Sequence, residues 1–327
     1  AAYAKKGEQV VAANLNAIAK TADALRRVDV PPEWAELPDT PDDAPQSAVE
    51  AFMRPMLRQQ GDMLPVSAMD ARGFAPLGTS RLEKRGVARQ IPQWRAEACI
   101  QCGLCSLVCP HGCIRTFYPL AETAFPVDFH TVRAKGKAFS GRNFRVQVSP
   151  LDCTGCEVCV NVCPTQSLSM KPLTEVSEVE GKNWEYAMTL TNKGNLVDKT
   201  TVKGCAFQTP MLEFPGACAG CGETQAVRIL TQLFGTRLMV ANAMGCSRVW
   251  GGTFASNPYT INARGQGPAW GSSLFEDNAE FGFGMMTSTL IKRRNLATRV
   301  QRILKDDSIP KSKELCASLQ TWLENPR

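Results

Sequence analysis

Near the start of the chain the apolar residues Val11, Leu15, Ile18, Ala22 and Leu25 recur at alternating spacings of four and three, the stripe of one helix face. The pattern predicts a helix from about Tyr3 to Val28, ended by Asp29, Pro31 and Pro32. Proline and acid then interleave: Pro38, Asp39, Pro41, Asp42, Asp43 and Pro45 mark residues 31–50 as an extended connecting segment. Residues 51–97 carry one short helix among Gly and Pro turns, and their polar character reads as a strap.

Further on, Phe144–Val148 alternates as FRVQV, a half-buried strand, and Leu168–Met170 with Lys171 reads as its counterpart. Beyond Thr200, strand and helix alternate. From Thr224 to Phe234 the residues Val227, Leu230, Leu233 and Phe234 share one side of a helix closed by Gly235, and Leu238–Ala241 follows as a short buried strand. That is an α/β unit, and the turn after its strand carries Cys246 at the carboxyl end, where open α/β sheets place ligands. The tail from Leu290 is helical, broken by Pro310, with Leu315, Leu319 and Trp322 as a packing face.

The fold class is therefore α/β and multidomain. The boundaries read as a helix and Pro/acid-rich linker over 1–60, a strap over 61–97, a cysteine-rich domain over 98–175 and an α/β domain over 176–327. A chain of 327 residues is long enough for two or three cores. No stretch reads as a membrane span or secretion signal. The formal charge of +6 is modest and its Lys and Arg are scattered, so nucleic-acid binding gains no support; Ile291–Asn295, IKRRN, reads as a helix surface.

Fourteen cysteines change the picture. Most fall in metal-ligand spacing, which favours metal thiolates in a reducing cytoplasm over disulfides. Residues 99–110 read CIQCGLCSLVCP and residues 153–164 read CTGCEVCVNVCP, each C-x2-C-x2-C-x3-C-P. This is the bacterial ferredoxin spacing, in which three thiolates close on one 4Fe-4S cluster and the fourth reaches its neighbour. The crossed sets are Cys99, Cys102, Cys105 and Cys163 for one cluster, and Cys153, Cys156, Cys159 and Cys109 for the other. Pro110 and Pro164 turn the chain away after each run. Structural zinc is the bland rival, but zinc knuckles use separated C-x2-C pairs. Fully ligated clusters have no open position for substrate, so they transfer electrons, and each carries about two negative charges that offset the chain's basic balance.

Cys218 and Cys221 lie in GACAGCGET ahead of the predicted helix, and Cys246 in ANAMGCSRVWGG. Three thiols are one short of a cluster, and a lone C-x2-C pair is open to zinc, redox or plain burial. The strings LEFPGACAGCGETQ, ANAMGCSRVWGG, NPYTINARGQGPAWGSSLFEDNAEFGFGM, ACIQCGLCSLVCPH, VSPLDCTGC, GDMLPVSAMD and EKRGVA resemble pyruvate:ferredoxin oxidoreductase over essentially the whole chain.

The resemblance implies a two-cluster ferredoxin-like domain followed by the start of a thiamine-diphosphate-binding α/β domain. It implies that Cys218, Cys221 and Cys246 supply three of four ligands to a third 4Fe-4S cluster, and that Glu223 and Cys246 border thiamine diphosphate, which is held with Mg. The family oxidises pyruvate with coenzyme A and passes electrons to ferredoxin or flavodoxin, which makes those molecules, the rest of a parent enzyme and a homodimeric partner the expected company. The chain starts without Met and stops at Arg327, before the family's diphosphate-holding segment and last cluster cysteine, so it reads as one portion of a larger polypeptide, inactive alone. A standalone electron-carrier subunit is the alternative. Met244 stands where the family usually has Thr, and Arg248 where it has Ser.

Other residues read plainly. Cys113, whose spacing repeats nothing in the second run, Cys205 and Cys316 have no assigned counterpart, and Cys113 and Cys316 read as packed thiols. His111 and His130, the only histidines, read as satisfied structural or surface residues. Glu223 also suits the positive end of a helix. Trp250, Trp270 and Phe275 read as packing against the glycine-rich loops around them.

Overall fold

A computed structural model describes residues 7–36, 47–190, 195–253 and 255–324. Tyr3 and the interleaved prolines and acids from Pro38 to Pro45 lie outside the described residues. The chain divides into two compact units, Ala1–Pro45 and Gln46–Arg327.

In the first unit, helix α1 spans Glu8–Ala24, shorter at both ends than its apolar stripe predicts. Gly7 precedes it at φ 100, a conformation that does not continue a helix, and the prolines at 31 and 32 push the residues before them into extended backbone. Leu15, Ile18 and Leu25 are exposed.

The second unit opens with α2 (Ala48–Leu57), whose N-cap Ser47 accepts the Glu50 N–H at 3.1 Å. Then the cysteine-rich fold is built twice: β1 (Gln90–Trp94), first cysteine run with α3 (Leu104–Val108), β2 (Ile114–Phe117); and, after β3 (Val132–Arg133), β4 (Asn143–Val148), second run with α4 (Val158–Asn161), β5 (Leu168–Pro172). Pairing is swapped between the halves. β1 pairs antiparallel with β5, Gln90 opposite Pro172, and β2 with β4, Ile114 opposite Val148. The FRVQV strand is β4, paired with Ile114–Phe117 and buried on both faces instead of one, because Arg145 and Gln147 also turn inward, and its counterpart Leu168–Lys171 falls in β5. β1 lies inside the stretch expected as a strap. Much of the inserted chain between the runs packs as aromatic filling, with Tyr118 stacked on Phe139 at 4.4 Å, while β3 adds a third strand beside β4.

The core of this fold contains Ile91, Ile114, Phe144, Val146, Val148 and Leu168 together with Cys99, Cys109, Cys153 and Cys159, so four sulfurs are core atoms. Helix α5 (Leu173–Thr189) covers it with Trp184, and α6 (Val202–Ala206), capped by Thr201, closes against α3.

Helix α7 (Gly222–Phe234) leads into β6 (Met239–Asn242), α8 (Cys246–Gly251), β7 (Ala269–Ser272), α9 (Asn278–Lys305) and α10 (Lys313–Glu324). β6 and β7 pair in parallel, Met239 opposite Ala269, with α9 against β6. This is the mixed α/β architecture expected, with α9 starting well before Leu290. In α10, Leu319 and Trp322 are half-buried while Leu315 is exposed. Helix α7 departs from its apolar pattern: it buries Thr224, Arg228, Thr231 and Gln232, whereas Leu230 and Phe234 are 43% and 49% exposed. Hydrogen bonds from the polar face to the cysteine-rich fold decide which side turns inward. Lys292, Arg293 and Arg294 of the IKRRN stretch lie exposed on α9.

Candidate metal centre

Each cysteine run wraps because of two left-handed residues at its third and fifth positions. In the first run these are Gln101 (φ 62) and Gly103 (φ 80); in the second, Gly155 (φ 67) and Glu157 (φ 62). Glycine is required where space is also short, since a Cβ on Gly103 would lie 2.9 Å from that of Ala206. The left-handed turn recurs three residues past each fourth cysteine, at Gly112 (φ 66) and Gln166 (φ 49). The Cys218–Cys221 loop repeats the third-position turn at Gly220 (φ 76), where a Cβ would sit 3.7 Å from the Cys156 Cβ.

Gln101 holds its strained conformation by a side-chain clamp, since its amide donates to Arg133 O at 2.8 Å and accepts from Lys135 N at 2.7 Å. This anchors the first run to the inserted chain. No spacing rule in the sequence points to it.

The sulfurs gather in two crossed groups. Burial raises the Cys105 thiol pKa, and the sulfurs of Cys99, Cys102 and Cys163 raise it further. Burial likewise raises Cys159, reinforced first by Cys109 and Cys153, and Cys153 is pushed up to about 12 chiefly by burial. Thiols held so close and so deep favour a positive partner that would let them ionise. For Cys163, burial is outweighed by hydrogen bonds from the Ser167 side chain and backbone and from Thr165, so its pKa falls.

The second group, Cys109, Cys153, Cys156 and Cys159, lines one small, largely enclosed cavity. Three polar atoms in its wall, Thr154 Oγ1 and both ring nitrogens of His111, have no hydrogen-bond partner of good geometry, although the His111 ring faces the backbone of Pro215 and Cys218. His111 is therefore a buried structural residue held against that backbone. Near the first group, the Tyr118 hydroxyl is likewise buried without a partner. Among the described residues, no three His, Cys, Asp or Glu side chains converge tightly enough for a single metal ion. Four sulfurs around a cavity with unspent donors in its wall suit a cube of iron and sulfide, whose sulfides accept hydrogen bonds.

Backbone N–H groups already point at the sulfurs: Gln101 N to Cys99 Sγ at 3.4 Å, Gly155 N to Cys153 Sγ at 3.4 Å and Ser167 N to Cys163 Sγ at 3.2 Å. Cys113, expected as a spare thiol, is buried against Cys109 and donates to Asp152 O at 2.9 Å. No cysteine repeats its spacing in the second run, where the equivalent position, four residues past Cys163, is Ser167.

The third group lies nearer the surface. Cys218 and Cys246 are exposed and Cys221 half-buried. Cys246 begins α8 just beyond β6, as its place after the strand predicted. Glu223 sits in the first turn of α7 and accepts the Trp250 Nε1–H at 3.0 Å. Met244 is exposed, with the Arg248 guanidinium against its sulfur. Cys205 is buried and Cys316 half-buried. Trp250 is packed, but Phe275 is 71% exposed, contrary to its packing role. Among the described residues no helix is long and apolar enough to cross a membrane.

Residues 98–167 match the family described as a 4Fe-4S dicluster domain, and residues 35–88 match a domain of unknown function. Over 98% of its length the chain is 45% identical to the pyruvate:ferredoxin oxidoreductase of Moorella thermoacetica, covering 28% of that protein. Over 99% of its length it is 45% identical to the pyruvate-flavodoxin oxidoreductase of Enterobacter agglomerans, again covering 28%. The same identity, over 99% of the chain, links it to 18% of the mitochondrial pyruvate dehydrogenase [NADP(+)] of Euglena gracilis. The chain thus spans well under a third of the length of these relatives.

Proposed function

We propose that this chain, homologous over nearly its whole length to one segment of the pyruvate:ferredoxin and pyruvate-flavodoxin oxidoreductases, carries the electron-transfer part of an enzyme that oxidatively decarboxylates pyruvate. In this reading coenzyme A is the acyl acceptor, acetyl-CoA and carbon dioxide are the products, and ferredoxin or flavodoxin receives the electrons. The remainder of the parent enzyme, thiamine diphosphate with Mg, a homodimeric assembly and a cytoplasmic location complete the proposal.

The observation that carries it is the crossing of the sulfurs, with Cys163 beside Cys99, Cys102 and Cys105, and Cys109 beside Cys153, Cys156 and Cys159. When bound there, two 4Fe-4S clusters would take up and release electrons singly. The chain's own residues direct N–H groups at three of the sulfurs and bury four of the eight cysteines from water, which sets how easily charge is added. Cys218, Cys221 and Cys246 would supply three ligands of a third cluster, with Glu223 and Cys246 beside the thiamine. The Cys218–Cys221 loop lies against Cys156, which supports a series running from the third group through the second to the first.

Iron and sulfide analysis of anaerobically prepared protein, with low-temperature EPR, tests the reading. About eight irons per chain mean two clusters and about twelve mean that the third assembles as well. A sample holding zinc or no metal would sink it.

A further inference from the structure

Three arginines are buried among the described residues: Arg115, Arg145 and Arg228. Arg115 meets the Glu213 carboxylate at 2.5 Å and Arg145 meets that of Glu180 at 3.6 Å. Arg228, the deepest at 1% exposed, has no carboxylate among its partners. Its Nε donates to Cys109 O at 2.7 Å, one terminal nitrogen to Gln232 Oε1 at 2.5 Å and the other to Leu107 O. All three acceptors are neutral. The nearest groups that can carry negative charge are sulfurs, Cys109 first, with Cys205 and Cys113, while the neighbouring Arg115 is balanced by its own partner Glu213.

A guanidinium does not lose its proton in a protein, and burying it without an opposing charge is costly even when its hydrogen bonds are satisfied. Helix α7 accepts that cost while leaving Leu230 and Phe234 exposed. A four-thiolate cluster at Cys109, Cys153, Cys156 and Cys159 carries about two negative charges, and one more when reduced. It would supply the missing opposite charge.

Resting on the cluster reading above, we propose that Arg228 is the buried counter-charge of the cluster held by Cys109, Cys153, Cys156 and Cys159, and that its fixed positive charge makes that centre easier to reduce. The guanidinium binds the Cys109 carbonyl and not its sulfur, so it acts through its field and leaves ligation alone. Because the charge is permanent, it favours the more negative, one-electron-reduced state at every pH.

Redox titration followed by EPR on the full-length protein tests this, with Cys156→Ser identifying which signal belongs to the second centre. Arg228→Gln should leave both centres assembled and make the second about tenfold less reduced at the wild-type midpoint, the order expected for a unit charge at an effective dielectric of about 20. Arg228→Lys, which keeps the charge, should restore most of the wild-type value. Gln232→Glu gives Arg228 a carboxylate without removing it, at the loss of the Gln232 amide donations to Cys205 O and Gln208 O, and should shift the same centre in the same direction. If Arg228→Gln fails to fold, the Gln232→Glu shift decides. Assembled clusters with an unmoved midpoint in Gln232→Glu would overturn the proposal, as would equal shifts in Arg228→Gln and Arg228→Lys. A wild-type protein without iron and sulfide would instead overturn the underlying cluster reading, and the counter-charge with it.

Discussion

Cys113 and Ser167 occupy equivalent places in the two halves of the cysteine-rich fold. The Cys113 carbonyl accepts the N–H of Ser149, the residue after β4, and the Ser167 carbonyl accepts that of Arg95, the residue after β1, both at 2.8 Å. Each side chain faces the sulfur four residues before it, but Ser167 presents a hydroxyl 3.2 Å from Cys163 Sγ where Cys113 presents a thiol.

A hydroxyl donating to a thiolate ligand stabilises the more negative state, and a thiol is the weaker donor. Ser167→Ala should therefore lower the midpoint potential of the centre at Cys163, and Cys113→Ser, whose hydroxyl can turn from Asp152 O, the acceptor of the Cys113 thiol, to the Cys109 sulfur, should raise that of the centre at Cys109. Only the difference in hydrogen-bond strength between oxidation states appears, so shifts of roughly 20–60 mV are expected for a one-electron couple. Opposite signs in EPR-monitored titrations check the pair. Two shifts of the same sign would remove the equivalence of the two positions as a source of asymmetry.

The crossing of the runs has a direct genetic test. Cys163→Ala should abolish the centre built on Cys99, Cys102 and Cys105 while sparing the other. Cys109→Ala, combined with Cys113→Ala because that thiol lies beside it, should do the reverse. Iron should fall from about eight to about four in each case, assuming the third site stays empty. Loss of the centre belonging to the same run, with the partner run's intact, would mean that each run closes on its own cluster.

How far the sequence reaches depends on what kind of interaction decides each element. The cysteine runs are legible because metal ligation imposes a covalent spacing, and β4 because Phe144, Val146 and Val148 alternate with polar residues, although both faces of the strand are buried. The inward face of α7 was misread because periodicity counts apolar residues, whereas Arg228 and Gln232 turn inward to reach Leu107, Cys109, Cys205 and Gln208. β1, QIPQW, has little alternation and a proline, and it is a strand because β5 pairs with it over 5 residues. The equivalence of Cys113 with Ser167 hides under different residue types, and only the shared turn geometry at Gly112 and Gln166 exposes it.

The Gln101 clamp predicts a local loosening. Gln101→Gly removes the left-handed strain, worth about 1 kcal/mol, but strands Arg133 O and Lys135 N, at about 1–3 kcal/mol for each buried group left unpaired. The net effect should be a destabilisation of the 131–135 segment, which β3 ties to β4 through only two residue pairs. Hydrogen exchange should show the Lys135 amide losing protection while those of β2 and β4 keep theirs. Unchanged protection at Lys135 would show that other contacts of the segment suffice.

Glu213 is where the strap, β2 and the chain before Cys218 meet. Its Oε2 pairs with Arg115 at 2.5 Å, its Oε1 with Arg81 at 2.8 Å, and its carbonyl accepts the Ser80 hydroxyl at 2.8 Å. Arg115 lies over Trp184 and Phe214, at 5.0 and 5.6 Å from their ring centres, which leaves it largely desolvated. Glu213→Gln should therefore cost about 3–5 kcal/mol, the penalty for leaving one member of a buried pair uncompensated. Arg81→Ala should cost under about 1 kcal/mol, because that side chain is half-exposed. Removing both buried charges together, Arg115→Met with Glu213→Leu, should recover most of the loss, since a well-packed apolar pair often matches a buried ion pair. Thermal denaturation followed by circular dichroism distinguishes these cases: a double variant melting as low as Glu213→Gln alone would mean that the hydrogen bonds of Arg115, and not its unbalanced charge, carry the stability of this junction.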